Sequence, residues 1–135
     1  MSGRAFFDTN VLIYALAQSD PRTEVAERLL ADGGVIAVQV INEFVWVARR
    51  KLHMPWPEVL SALDAVRTLC GEPAALDGKI HDLALDLSQR HALPFFDGLI
   101  VSAALQARCE VLYSEDFQHG QTFESRLVVE NPFRP

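Results

Sequence analysis

Apolar residues in this chain fall either in short unbroken runs or in one-sided stripes, and the two kinds alternate. Ala5, Phe6 and Phe7 form a short run that predicts a buried strand, ending abruptly at Asp8-Thr9-Asn10. A helix beginning there carries Val11, Leu12, Ile13 and Leu16. Ser19-Asp20-Pro21 reads as the next helix start, with Asp20 as N-cap and Pro21 in the first helical position, and Gly33-Gly34 stops that helix. Val35 to Val38 predicts a second strand. From Gln39 to Leu52 the residues Ile41, Phe44, Val45, Ala48 and Leu52 make one stripe of a helix, with Glu43 on the opposite side. Pro55 and Pro57 break the chain. Val59, Leu60, Leu63, Val66 and Leu69 then mark an amphipathic helix closed by Gly71, and Ile80, Leu83, Ala84 and Leu87 mark another. Beyond Asp97 the segment Leu99 to Leu105 is apolar all round, as a buried helix is. Val111-Leu112-Tyr113 predicts a third strand ending at Ser114-Glu115-Asp116, and Leu127-Val128-Val129 a fourth.

Short apolar strands alternating with helices of ordinary length imply an α/β domain around a mainly parallel sheet, with helices on both faces. No repeat, low-complexity stretch or linker interrupts the pattern, so residues 1–135 read as a single domain.

Composition narrows what such a domain can do. At 135 residues, half of them apolar, the chain can bury about two-thirds of its unfolded surface and needs no disulfide or structural metal to fold. Cys70 and Cys109 lack the number and spacing of a disulfide framework or a zinc site and read as buried small hydrophobes, which suits a reducing compartment such as the cytoplasm. The longest apolar stretch falls far short of the roughly 18 to 20 residues of a membrane span, and neither membrane anchor nor signal segment is expected. Eighteen Asp plus Glu against 12 Lys plus Arg leave a net charge of -6, which argues against holding nucleic acid by bulk charge alone.

The acids themselves carry the candidate chemistry. Ligands of open parallel sheets bind beyond the carboxyl ends of the strands. Asp8 directly follows one predicted strand and Asp116 lies three residues past Tyr113, so the fold would bring both to one sheet edge. Asp97 stands at the entrance of a wholly apolar helix, favoured by the helix dipole but costly to desolvate, and the nearest basic residues in sequence are Arg90 and Arg108. A bound cation would resolve that. Hard oxygen ligands with few nitrogen or sulfur donors suit Mg²⁺ or Mn²⁺. Each acid also has an ordinary structural reading: Asp8 and Asp97 as N-caps, Asp116 as a turn residue, Glu115 and Glu43 as solvated charges. Isolated caps, however, do not predict two acids placed at strand ends.

In four segments and a closing strand the chain resembles the PIN-domain family, and more narrowly the VapC-type ribonuclease toxins of bacterial toxin-antitoxin pairs. Phe6-Phe7-Asp8-Thr9-Asn10-Val11-Leu12-Ile13-Tyr14 resembles the family's opening strand and first acid, and Val40-Ile41-Asn42-Glu43-Phe44 its glutamate-bearing helix. Phe96-Asp97-Gly98-Leu99-Ile100-Val101-Ser102-Ala103-Ala104 is similar to its aspartate and apolar helix, with Gly98 where alanine is more usual. Leu112-Tyr113-Ser114-Glu115-Asp116-Phe117-Gln118-His119-Gly120 supplies the expected serine two residues before the last acid, and Val128-Val129-Glu130-Asn131-Pro132-Phe133 looks like the closing strand.

This resemblance implies a three-layer α/β/α fold with a short, mainly parallel central sheet, and a metal-dependent endoribonuclease. It further implies a dimer inhibited by a cognate antitoxin that covers the active-site groove. Carried over by position, Asp8, Asp97 and Asp116 would hold the divalent ion, Mg²⁺ or Mn²⁺. Glu43 would complete the catalytic set, with Thr9, Asn10 and Ser114 orienting the carboxylates.

Among other residues, Arg49-Arg50-Lys51 is the one basic run; its Arg50 lies seven residues after Glu43, with Trp46 between. That face could meet RNA or an antitoxin, while the ordinary reading makes the charges helix C-terminal and packs Trp46 on a neighbour or a second subunit. Trp56 reads as packing or interface. His53, His81, His91 and His119 show no metal-ligand spacing. Rival functions fit less well. An aspartate-nucleophile phosphatase wants an acid where Asn10 stands, a phospho-receiver wants an adjacent N-terminal acid pair, and a silent PIN module that binds RNA or protein without cutting has no need of four acids.

Overall fold

The computed structural model describes residues 4–17 and 19–135; residues 1–3, on which the expectation of no signal segment partly rests, lie outside the described residues. Four strands form one sheet in the order β1-β2-β4-β3: β1 (Ala5–Phe7), β2 (Val111–Tyr113), β3 (Thr122–Phe123) and β4 (Leu127–Glu130). β1 runs parallel to β2 and β2 to β4, whereas β3 returns antiparallel to β4. Phe6 and Phe7 point to opposite faces of one strand and both are fully buried, so both faces of the sheet are covered.

Six helices provide the cover: α1 (Thr9–Leu16), α2 (Arg22–Ala31), α3 (Val38–Arg50), α4 (Trp56–Cys70), α5 (Gly78–His91) and α6 (Phe95–Gln106). α1 packs on α2 and α3, α4 joins that group, and α5 pairs closely with α6, which also touches α3. The result is the three-layer α/β/α arrangement around a mainly parallel sheet. Among the described residues no helix is long and apolar enough to cross a membrane.

Local chemistry accounts for most boundaries. Asp8 caps α1, and Asp20 accepts from Arg22 N–H at 2.9 Å although α2 begins one residue later than expected, after Pro21. Gly33 and Gly71 take φ of 84° and 80°, which only glycine adopts without strain, at the ends of α2 and α4. Pro57 does not break the chain; it sits in the first turn of α4, where no N–H is needed. Along α3 the buried set is Gln39, Val40, Phe44 and Ala48, so the core stripe is rotated from the expected one and Leu52 lies exposed beyond the helix end.

Two strand expectations change. Val35 to Val38 is not a strand: Val35 bridges Phe6 and Ala37 bridges Ala74, so the segment switches partners before a ladder can grow, and α3 begins at Val38. β3 was not expected, because its hairpin turns through Glu124 and Ser125 at φ of 53° and 55° without the glycine that usually announces such a turn. Cys109 is buried, Cys70 half-buried, and both are free thiols.

Candidate metal centre

The register Phe7↔Tyr113 of a parallel pair sets the next residues, Asp8 and Ser114, side by side at the carboxyl edge of the sheet. The ladder continues one step: Asp8 N–H donates to Tyr113 O at 3.0 Å and Ser114 N–H to Glu130 O at 3.1 Å. Asp8 is 3% exposed. Its Oδ1 accepts from Thr9 N–H at 2.7 Å and its Oδ2 from the Ser114 hydroxyl at 2.6 Å. Burial pushes this carboxyl up to about 7, against the pull of those two hydrogen bonds and with the added push of Asp116 and Glu43.

Ser114 Oγ also accepts from Asp116 N–H at 3.0 Å and from Asn10 Nδ2 at 3.4 Å. Asn10 Nδ2 donates to Asp116 Oδ2 at 3.2 Å, and Asn10 Oδ1 accepts from Glu115 N–H at 3.4 Å. The first turn of α1 is thereby tied to the loop after β2, which carries Asp116. On the other side of that loop the Tyr14 hydroxyl donates to Glu115 Oε1 and accepts from Arg22 Nη1 at 2.7 Å. Arg22 is itself paired with Asp20 at 2.8 Å.

Glu43 enters from α3. Its half-buried carboxyl is raised by burial, lowered by Gln39 Nε2 donating at 3.3 Å, and raised again by Asp97 and Asp116. Asp97 is raised by burial and then by Asp116. The charge of Asp116 thus bears on each of the other three acids, and no ion pair of the described residues includes any of the four.

The donor set is chemically suited to a hard divalent cation: four carboxylates, no thiolate, no imidazole. Among the described residues no three side chains close into a ready-made cage. Mg²⁺, which keeps several of its waters when bound, does not require one. The Thr9 hydroxyl is buried without a hydrogen-bond partner, so Thr9 orients Asp8 through its backbone N–H.

Asp97 lies in the first turn of α6, and the helix has no side-chain cap, so its carboxylate is free of the capping role considered from the sequence. Glu43, read as pointing away from the core, turns toward the other acids. Gln39 was overlooked; its i,i+4 spacing to Glu43 on a helix was the available signal. Glu115, read as a solvated charge, is instead held by Tyr14. His119 serves the loop: its Nδ1 accepts from Asn131 N–H at 3.1 Å.

Comparison with known proteins matches the PIN domain family over residues 5–122. A toxin-antitoxin complex from Klebsiella pneumoniae shares the fold with a TM-score of 0.71 at 22% identity, covering 97% of this chain and 99% of that one. Mycobacterium tuberculosis VapC20, a toxin that cleaves the sarcin-ricin loop, aligns with a TM-score of 0.65 at 18% identity over 83% of this chain and 89% of that one. VapBC2 from Rickettsia felis, bound to a DNA fragment from its promoter, aligns with a TM-score of 0.63 at 22% identity over 94% and 97%. Among curated proteins no relative matches. The likeness to these structures is one of fold, and with the family match spanning nearly the whole sequence, this chain belongs to the PIN domain family.

Proposed function

We propose that the protein is a divalent-metal-dependent endoribonuclease that hydrolyses RNA phosphodiester bonds as the toxin of a bacterial toxin-antitoxin pair. The observation that carries this reading is that Asp8, Glu43 and Asp97 each lie within reach of the charge of Asp116, with no ion pair among the described residues that includes any of the four. Like charges gathered and partly desolvated are stable together only when protons or a cation share them.

Asp8, Asp97 and Asp116 are the residues proposed to hold Mg²⁺ or Mn²⁺, with Glu43 completing the catalytic set. When bound, the ion supplies Lewis-acid activation of the phosphodiester and of the attacking water. The chain's own groups supply the geometry. Thr9 N–H and the Ser114 hydroxyl fix both oxygens of Asp8, Asn10 holds Asp116, and Gln39 holds Glu43. Carboxylates restrained in this way meet the ion without first losing side-chain freedom.

RNA as substrate and an antitoxin as partner are supported by the neighbours, one a sarcin-ricin loop cleaving toxin and one a toxin-antitoxin complex. Exposed Trp56 and Leu60 on α4 offer an apolar face for a homodimer, and the two free thiols suit the cytoplasm.

The test is cleavage of structured and unstructured RNAs by the purified protein with Mg²⁺, with Mn²⁺ and with EDTA. Cleavage by the wild type only with metal, and loss in Asp8→Asn, is expected; equal cleavage by the variant overturns the site. Induction in a bacterial host should arrest growth, relieved by a small neighbouring gene product. No arrest and no such gene overturns the toxin role while leaving the nuclease standing.

A further inference from the structure

One face of α3 carries a pattern that begins at the acid cluster and extends beyond it. Glu43, Trp46 and Arg50 lie at i, i+3 and i+7, so a carboxylate, an aromatic ring and a cation follow one another along the helix. Trp46 is 54% exposed and Phe96, in the first turn of α6, is 59% exposed. Both line one groove of about 530 Å³ together with Gln39, Asn42, Glu43 and Val47. Trp46 therefore does not pack into this chain's core, although burial is the usual fate of tryptophan.

The groove is continuous with the acid cluster, since Glu43 belongs to both and Phe96 immediately precedes Asp97. Beside the Trp46 ring, Arg50 Cζ and Lys51 Nζ stand 5.6 and 5.8 Å from its centroid. Those cations belong to the one basic run of the chain.

We infer that this groove is a nucleobase subsite: an unpaired base of the RNA stacks on Trp46 and Phe96 while the adjoining phosphates track Arg50 and Lys51. The inference rests on the ribonuclease reading and deepens it by assigning Trp46 and Phe96 as the side chains that hold a base beside the acid cluster. Charge complementarity favours this occupant. A polyanion is repelled by the carboxylates wherever metal does not cover them, and it finds its cations beside the exposed ring. Size agrees as well, because the groove lies within the roughly 300 to 1,000 Å³ range of small-ligand sites and can take a planar base. The side-chain amides of Gln39 and Asn42 give it hydrogen-bonding groups for a base edge.

The experiment uses a Trp56→Phe protein, in which Trp46 is the only tryptophan, combined with Asp8→Asn to prevent cutting. With Mg²⁺ present, its emission is followed on titration with poly(A), with poly(U) and with the poly(A)·poly(U) duplex, and affinity is read separately by anisotropy. Quenching by a single strand but not by the duplex is expected. Trp46→Leu and Phe96→Leu should each weaken single-strand affinity about 10- to 100-fold, with Trp46→Phe restoring most of it.

No quenching by either single strand overturns the subsite. If wild-type protein still cleaves RNA, the ribonuclease reading survives that result; if it does not, both fall. Unchanged RNA affinity in Trp46→Leu together with conversion of a dimer to monomer on sedimentation assigns the groove to a second copy of the chain and also overturns the inference. Unchanged RNA affinity with lost capture of the cognate antitoxin assigns it to that protein, with the same consequence.

Discussion

The Ser114 hydroxyl donates to Asp8 Oδ2 at 2.6 Å across 106 residues of chain, and Ser114 Oγ in turn accepts from Asp116 N–H at 3.0 Å. One side chain therefore sets the position of two of the acids. Ser114→Ala leaves a buried carboxylate oxygen without its donor and is expected to lower stability by about 1 to 3 kcal/mol at pH 8. It should also weaken Mg²⁺ affinity by roughly 10- to 100-fold. Denaturant melts and a metal titration check the two effects; unchanged metal affinity would show that Ser114 is merely structural.

Burial raises the Asp8 carboxyl from 3.8 to about 7, so the folded state binds its proton more tightly than the unfolded chain. That advantage is fully present below about pH 4 and is lost as pH rises toward 7, because the unfolded chain deprotonates first. In EDTA the wild type should therefore lose stability relative to Asp8→Asn between pH 5 and pH 8, by roughly a few kcal/mol at most. Saturating Mg²⁺ should recover much of the loss at pH 8, since a ligand that binds only the folded state stabilises it. Calorimetry of both proteins across that range decides the matter. A wild type that gains stability relative to the variant as pH rises contradicts the assignment.

Gly98 lets α6 approach α5: a Cβ there would lie 2.2 Å from Ser88 Oγ and 2.9 Å from Ala84 O. An alanine at this position is thus blocked in this chain by Ser88. Gly98→Ala should destabilise by about 1 to 3 kcal/mol despite its better helix propensity. Ser88→Ala removes an oxygen that is buried without a partner, so alone it should be close to neutral. In the double variant it should recover part of the loss, with Ala84 O keeping the remainder. Chemical denaturation of the four proteins closes the cycle.

Tyr14 joins Glu115 to Arg22, and its ring packs edge-on against Phe133 with centroids 4.8 Å apart. Tyr14→Phe keeps that packing and removes the hydroxyl that holds the loop bearing Asp116. A stability loss of about 0.5 to 1.5 kcal/mol is expected, together with a several-fold weaker response to Mg²⁺ in the thermal melt. A full loss of stability with normal metal response would separate the loop from the centre.

The sequence by itself determined what depends on near neighbours. The one-sided stripe of α5, the all-apolar run of α6, the glycine stops after α2 and α4 and the acid at the end of β1 are local patterns, governed by helix period and backbone freedom; on α4 only Val59 and Val66 of the expected stripe are buried, joined by Ala62, while Leu60 and Leu69 lie exposed. The family's segments, with the acids in order, were legible for the same reason. What escaped was decided by long-range partners. Val35 to Ala37 divides its pairing between Phe6 and Ala74, and β3 exists because β4 is there to pair with it.

Only the tertiary structure decided that Asp8 and Ser114 stand side by side, that Glu43 and Asp97 face the same acids, and that Asp97 is relieved of capping. Those relations follow from the β1–β2 register and from α3 packing on α1 and α6. Charge repulsion among residues 8, 43, 97 and 116 has no meaning along the chain; it arises only when folding removes the water and the distance between them.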